Sequence, residues 1–302
     1  MQENHEQLSG NIMGHIITII TISIWSTTFI STKVLLRSFS PIEILVTRFI
    51  IGLAVLTILR RPHPGRWIKN FSLIHEIKYL GAGLAGVTVY YLFENIGLTY
   101  TQAANISVII SMAPLFTAIL SFFAFGDRSV LNKNFLLGFT AAIVGVFMIS
   151  FGGRAVEISP LGDFLGIAAA VAWAVYSVII RKIQEKDKDA VSVTRHVFTY
   201  GVVFMIPPAL IMGFGPDTAA LIQPVNVMNI LFLGLCASAM CFVTWNYAVK
   251  KIGVVTASVY IYFTPVITMT ASYFILDESI NGIMLLGTLL TIFGLVLSDR
   301  RG

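Results

Sequence analysis

Charge is the scarcest ingredient of this chain. Only 12% of its 302 residues are Asp, Glu, Lys or Arg, against 56% hydrophobic, and the mean hydropathy is +0.84. A water-soluble protein carries roughly 25% charged residues, so this composition excludes a solvated surface of the usual kind and assigns much of the exterior to lipid. Cysteine is nearly absent. Cys236 and Cys241 share one apolar segment, at a spacing that fits neither a CxxC redox pair nor a zinc site, and they read as small core thiols. Metal-binding HExxH, the Gly-x-Ser-x-Gly elbow, the phosphate-cradling P-loop and clustered His or Asp within the apolar runs are all missing. These gaps argue against a membrane-embedded enzyme and against direct ATP coupling, and they predict neither metal nor cofactor. The polar N-terminal tail of about eleven residues is too short to be an appended sensor domain.

What the chain has instead is long apolar runs. Hydropathy marks ten, each near the ~20 residues that span a bilayer: 12–34, 41–60, 77–98, 102–125, 133–152, 161–181, 193–213, 227–249, 255–276 and 281–298. They are numbered helix 1 to helix 10 below. Run 1 is too long for a signal-peptide core, lacks a basic leader and is followed by Lys33 and Arg37 instead of a small-residue cleavage site, so it reads as a retained membrane helix. Most connections are short, which forces sequential helices to lie antiparallel.

With ten crossings, fifteen of the 20 Lys and Arg fall on the side of both termini, three (Lys33, Arg37, Arg154) on the other, and Arg48 and Arg195 inside helices. The positive-inside rule then puts both termini in the cytoplasm. The net charge of +5 is thereby a topology signal and gives no reason to invoke nucleic acid. The Arg60–Lys78 stretch and the Arg181–Asp189 run read as solvated connections.

The runs repeat. Trp25 and Lys33 in helix 1 are matched by Trp173 and Arg181 in helix 6, and Val46-Thr47-Arg48 by Val193-Thr194-Arg195, 147 residues on. Asn95, Ala104 and Pro114 correspond to Asn246, Val255 and Pro265 at an offset of 151, and Gly138 and Gly145 to Gly287 and Gly294 at 149. Each half holds an odd number of helices, so the second enters the membrane from the opposite face. The expected fold is therefore all-α, ten transmembrane helices as two inverted five-helix repeats, residues 1–152 and 153–302. Inverted repeats recur in secondary transporters, with the solute site near the midplane where the halves meet.

These elements resemble the EamA-like branch of the drug/metabolite transporter superfamily. The likeness is carried by "IWSTTFISTK" in helix 1, "PIEILVTRF" in helix 2 and "NIGLTYTQAANISVIISMAPLFTAILSFFAFGD" across helices 3 and 4. The second half repeats the last as "NYAVKKIGVVTASVYIYFTPVITMTASYFILDE", and both halves close on glycine-spaced helices, "LGFTAAIVGVFMIS" and "LGTLLTIFGLVLS". The family's usual Gly-Glu after helix 4 stands here as Gly126-Asp127, and after helix 9 as Asp277-Glu278, departures that keep the charge. The resemblance implies a multi-pass carrier in a bacterial plasma membrane, more often an exporter than an importer, of small metabolites such as amino acids or related amphipathic compounds.

Ionisable groups within membrane helices are costly and so face a partner or a watery cavity. Glu94 in helix 3 and Arg48 in helix 2 both fall roughly 9–10 Å from the same end at 1.5 Å per residue, so they can pair; alternatively Glu94 faces the solute or a coupling proton. Arg195 repeats Arg48, but Trp245 stands where Glu94 has its counterpart, so the fold itself does not demand that carboxylate. The two arginines read as fold elements.

Trp25, Thr28, Phe29 and Thr32 share one face of helix 1, and Trp173, Tyr176, Ser177 and Ile180 share one of helix 6. With Tyr90, Tyr91, Glu94, Asn105, Trp245 and Tyr260 they are the candidate substrate-binding set, since aromatic faces attract cations and stack on planar solutes; aromatic stripes serve plain helix packing too. Pro114 and Pro265 break helices 4 and 9 at matching places and are candidate hinges. Helices 5 and 10, with their spaced glycines, read as a packing pair. His15 and His196 read as interfacial anchors. The expected partners are a small solute, the bilayer and, as coupling ion, the proton. A facilitative channel is the alternative reading, and oligomeric state is not encoded legibly.

Overall fold

Where the chain turns, local chemistry explains the stop. In the computed structural model, which describes residues 2–60, 72–101, 103–126, 132–151, 159–184, 189–276 and 282–299, helix 2 (Pro41–Leu59) opens on a capping box. The Glu43 N–H donates to Ser40 Oγ while Glu43 Oε2 accepts from the Ser40 N–H at 2.8 Å. Helix 7 (Ala190–Met212) starts at Asp189, whose carboxylate accepts from the Val191 N–H, the Ser192 hydroxyl and Arg60 Nε. Partial burial alone would raise the Asp189 carboxyl; those hydrogen bonds, Arg60 foremost, outweigh it and hold the group below its ordinary value. Gly126, Gly213 and Gly253 end helices 4, 7 and 8 with φ of 68°, 75° and 86°, which costs glycine little.

Among the described residues the chain forms ten helical rods. Besides helices 2 and 7, these are helix 1 (Gln2–Leu35), helix 3 (73–100), helix 4 (103–125), helix 5 (Lys133–Phe151), helix 6 (Pro160–Gln184), helix 8 (Pro224–Ile252), helix 9 (254–276) and helix 10 (Gly282–Asp299). A short turn of helix, Thr218–Leu221, precedes helix 8 and was not foreseen in the sequence. Seven rods are long and apolar enough to cross a membrane: 1, 2, 4, 6, 7, 8 and 9. Helix 3 is not among them, because Glu94, Asn95 and its glycines and tyrosines dilute its apolar stretch, and helices 5 and 10 contribute shorter apolar stretches, Lys133–Gly145 and Leu285–Ser298. Outward-facing side chains such as Ile58, Phe123, Leu210 and Ile211 are more than three-quarters exposed. Apolar exposure on that scale is incompatible with water and natural in hydrocarbon. This is a multi-pass, all-helical membrane protein.

Four rods are internally broken, in matching pairs. Helix 3 contains a π-helical turn at Leu84–Val89 and helix 8 one at Phe232–Met240. Helix 4 stops at Ile110 and restarts at Ala113, and helix 9 passes through a 3-10 turn at Tyr260–Phe263. Pro114 and Pro265 sit at the start of the resumed segments, where a missing backbone N–H costs least.

Packing respects the same pairing. Helix 1 lies against helices 8 and 9, as helix 6 lies against helices 3 and 4; helix 2 touches 7 and 8, as helix 7 touches 2 and 3; helix 5 pairs with helix 10. Glycines set the closest approaches. A Cβ on Gly83 would stand 2.8 Å from the Val197 carbonyl oxygen and the Gly201 nitrogen, and one on Gly234 2.7 Å from Ile51 Cγ2 beside Gly52. Between helices 5 and 10, a Cβ on Gly138 would stand 2.5 Å from the Gly294 oxygen, and one on Gly145 2.5 Å from the Gly287 oxygen. Backbone meets backbone there, so no rotamer change relieves an added methyl.

Gly294→Val is accordingly expected to destabilise the protein by about 1–3 kcal/mol or more, the usual cost of overpacking, seen as a lower thermal midpoint in detergent. Gly215→Ala, with nothing within 4 Å of the added carbon, should leave the midpoint unchanged. Identical midpoints for the two variants would contradict this helix crossing.

Candidate functional site

Helices 1, 3, 4, 6 and 9 converge on a cavity of about 30 Å³, room for about two waters. Helix 1 supplies Ile22, Trp25, Thr28 and Phe29, and helix 3 supplies Tyr90, Tyr91 and Glu94. On helix 1 the spacing is i, i+3, i+6, i+7, and on helix 3 Glu94 follows Tyr91 by three residues and Tyr90 by four, so each set lies along one helix face. Trp173 closes the wall from helix 6, while Ile110, Ile261 and Thr264 enter beside the breaks in helices 4 and 9.

Trp25 is the hinge of this wall. Its Nε1 donates to the Ala237 carbonyl oxygen at 2.8 Å, a backbone group of helix 8. Its ring meets Trp173 edge-on at 5.0 Å between centroids, Phe242 at 5.6 Å and Trp245 at 5.6 Å. Tyr90 contacts Trp173 at 5.1 Å and Tyr91 at 4.6 Å. Each such pair contributes about 0.5–1.5 kcal/mol beyond its area, and here the rings come from both halves of the chain.

Two buried charges lie beside the rings. Glu94 is 1% exposed, with Tyr90 as its hydrogen-bonding neighbour, and its Oε1 has no partner among the described residues. Arg48, also 1% exposed, does not form an ion pair with it. Instead the Arg48 Nε donates to Ser238 Oγ at 3.0 Å, and its guanidinium lies 4.4 Å from the Tyr91 ring centroid. Its Nη1 and Nη2 lack partners among the described residues. The pair allowed by equal depth is not made, because Arg48 turns to helix 8 and to the Tyr91 ring. Arg195, its repeat, is only partly buried and donates to the Arg60 carbonyl oxygen, so the two arginines do different work.

Of the sequence candidates, Trp25, Thr28, Tyr90, Tyr91, Glu94 and Trp173 line the cavity. Tyr176, Ser177 and Trp245 stand behind it, all fully buried. Tyr176 donates to Asn246 Oδ1, and Trp245 packs on Trp25 and Trp173. Tyr260 lies away from the cavity, its hydroxyl 2.8 Å from His15 Nδ1. The Asn105 side chain lies outside the described residues, as do the Gly126-Asp127 and Asp277-Glu278 turns at their acidic residues. The free thiol Cys241 is buried near Arg48.

Sequence reasoning missed three features. Phe242 is the hub on which Trp25, Trp173, Tyr176, Phe49 and Phe198 converge; the 242, 245, 246, 249 face of helix 8 carried that signal. Thr264 and Ile261 reach the cavity because helix 9 changes pitch beside Pro265, which hydropathy cannot report. His196 is more than an anchor: its Nε2 lies 3.0 Å from Glu76 Oε2, which also accepts from the Tyr200 hydroxyl at 2.6 Å, and its ring stacks on Tyr79 at 4.1 Å.

With this geometry in view, similarity to known proteins becomes informative. The model of the EamA-like transporter family matches residues 12–151 and again residues 160–298. The chain belongs to the EamA-like transporter family. Among its relatives, an uncharacterized transporter of Archaeoglobus fulgidus is 28% identical over 96% of this chain and 99% of its own. A probable terminal-alkyne amino-acid exporter of Streptantibioticus cattleyicolor is 25% identical over 98% and 95%, and the uncharacterized transporter YyaM of Bacillus subtilis 29% over 89% and 88%. A protein known from its crystal structure shares the fold with a TM-score of 0.72 over 96% of both chains, at 21% identity. The rings of the junction in this EamA-like chain come from both matched segments.

Trp25→Phe keeps a ring at that junction but removes the hydrogen bond to the Ala237 carbonyl oxygen. The expected loss is about 0.5–1.5 kcal/mol, read as a lower midpoint of thermal unfolding; an unchanged midpoint would show that the indole does not tie helix 1 to helix 8.

Proposed function

We propose that this EamA-like chain is a secondary transporter of small organic metabolites, amino acids or related amphipathic compounds, working by alternating access. The single observation that carries the reading is a cavity at the junction of the two halves, walled by aromatic rings and edged by the breaks in helices 4 and 9. Its present size admits about two waters, so a metabolite-sized solute requires the halves to part. Discontinuous helices at a solute site are a recurring device of such carriers.

The halves are read as inverted five-helix repeats, 1–152 and 153–302, within ten membrane crossings. The exchange-symmetric packing, the matched π turns and the glycine crossings related by about 150 residues support this. The Lys and Arg distribution supports cytoplasmic termini in a bacterial plasma membrane. Export is the favoured direction, in keeping with the name of the Streptantibioticus cattleyicolor relative. Pro114 and Pro265 serve as hinges, and Glu94 is the group that takes up a coupling proton. The chemistry is movement of a solute, without bond making or breaking.

Counterflow in proteoliposomes separates carrier from channel, because only a carrier shows saturable trans-stimulation. Glu94→Gln should abolish the pH dependence of that exchange; undiminished pH dependence would remove Glu94 from the coupling role. Pro114→Ala and Pro265→Ala should each slow exchange several-fold while folded protein is inserted at wild-type levels, and parallel loss of folded protein would reduce the prolines to a structural part.

A further inference from the structure

The one carboxylate that lines the cavity stands among neutral polar groups and aromatic rings, and this bears on what the solute presents to it. Glu94 Oε1 has no partner among the described residues. Thr28 commits its hydroxyl hydrogen to the Trp25 carbonyl oxygen, at 2.6 Å, so toward the cavity it can only accept. The Trp25 N–H is already spent on Ala237. The Trp173 N–H has no partner among the described residues, and it is neutral, as are the Tyr90, Tyr91 and Thr264 hydroxyls that also line the wall. Arg48 is held by Ser238 and the Tyr91 ring, makes no direct ion pair with Glu94 and does not line the cavity, although its Nη1 and Nη2 lack partners among the described residues.

Resting on the carrier reading above, we propose that Glu94 receives a protonated amine of the solute, so that the transported class is organic ammonium compounds. An ammonium group has donors and no acceptor, which complements a carboxylate oxygen and a threonine lone pair. Desolvated beside aromatic rings it also gains cation–π attraction. The charge on Glu94 is then balanced by the solute instead of by the protein. A carboxylate head at the same place would meet the like charge of Glu94, with only neutral donors on the wall to hold it. The same ammonium chemistry is offered by a simple amine and by the α-amino group of an amino acid, so both sources are tested.

The test uses the full-length protein in lipid nanodiscs, titrated at neutral pH with 2-phenylethylamine, L-phenylalanine and 3-phenylpropionate, three probes that share a ring and differ in charge. The amine or the amino acid, or both, should bind at least tenfold more tightly than the acid. Glu94→Gln should weaken that binding tenfold or more, and Glu94→Asp, which keeps the charge, should recover most of it. Tighter binding of L-phenylalanine than of the amine identifies amino acids as the source, and the reverse identifies simple amines. The proposal is overturned if 3-phenylpropionate binds as well as the amine and the amino acid, if Glu94→Gln binds the amine and the amino acid as wild type does, or if none of the three binds. Counterflow of the same probes keeps the two levels apart. Saturable exchange of 3-phenylpropionate without Glu94-dependent amine binding sinks the ammonium assignment and leaves the carrier; binding without exchange of any probe sinks the carrier.

Discussion

Everything at the centre of this protein depends on how closely its helices approach. Within hydrocarbon there is no hydrophobic force between helices, because lipid tails are as apolar as leucine; association rests on contact. Gly83 against Gly201, Gly52 beside Gly234, and the Gly138–Gly294 and Gly145–Gly287 crossings remove the side chain where contact is closest. Moving any of these backbones outward by the width of a methyl would pull helix 3 from helix 7 or helix 2 from helix 8. Those are the rods that deliver Tyr90, Tyr91, Glu94, Phe242 and Trp245 to the junction. Small residues outside thus make room for large rings inside.

The rings solve a second problem. A cavity between two halves exposes polar groups, and each unpaired one costs free energy in a medium of low polarity. Most are satisfied locally: Ser26 on the Ile22 carbonyl, Thr21 on the Ile17 carbonyl, Asn246 shared between Tyr176 and Thr194. Among the described residues the exceptions include Glu94, Arg48, Trp173, Ser177 and Trp245 around the aromatic junction, and others at Thr32, Asn95, Thr117, Ser121, Gln184 and Tyr262. Two buried opposite charges that decline to pair are unfavourable as architecture, since a direct ion pair would relieve both. Their retention in that arrangement is what distinguishes the site from a packed core.

Much of this was legible in the sequence, and for a physical reason. Spanning a bilayer imposes a length and a composition on each helix, so hydropathy located the rods to within a few residues, except that helix 1 runs back through the polar residues expected to be a tail, to Gln2. The repeat offsets singled out Pro114 with Pro265, and the one-faced spacing of Trp25, Thr28 and Phe29 located the wall. What stayed hidden depends on pitch and rotamer. A π turn adds a residue without changing composition, so neither Leu84–Val89 nor Phe232–Met240 announced itself. Equal depth made Arg48 and Glu94 look like partners, but depth fixes only one coordinate, and the Tyr91 ring decides the rest. Tyr260 shows the same limit: its place in helix 9 is right for the cavity, yet the 3-10 turn carries its hydroxyl to His15.

Besides the glycine crossings, the halves meet through two further kinds of contact. Near the aromatic centre the halves meet ring to ring. Toward the helix ends they meet through discrete polar ties: Arg60 Nε to Asp189 at 2.7 Å, Glu76 to His196 and Tyr200, His15 to Tyr260, and Arg181 over the Phe125 ring at 3.9 Å. Exposed ties such as Arg60–Asp189 are worth no more than about 1 kcal/mol each, because water replaces the partner when they open. Apolar seams of the same extent would lose roughly 25 cal/mol per Å² exposed to water, and a bundle sealed that way would have one stable state. Polar ends with an aromatic middle therefore suit the carrier reading proposed above, because ends held by ties that water can replace open at little cost.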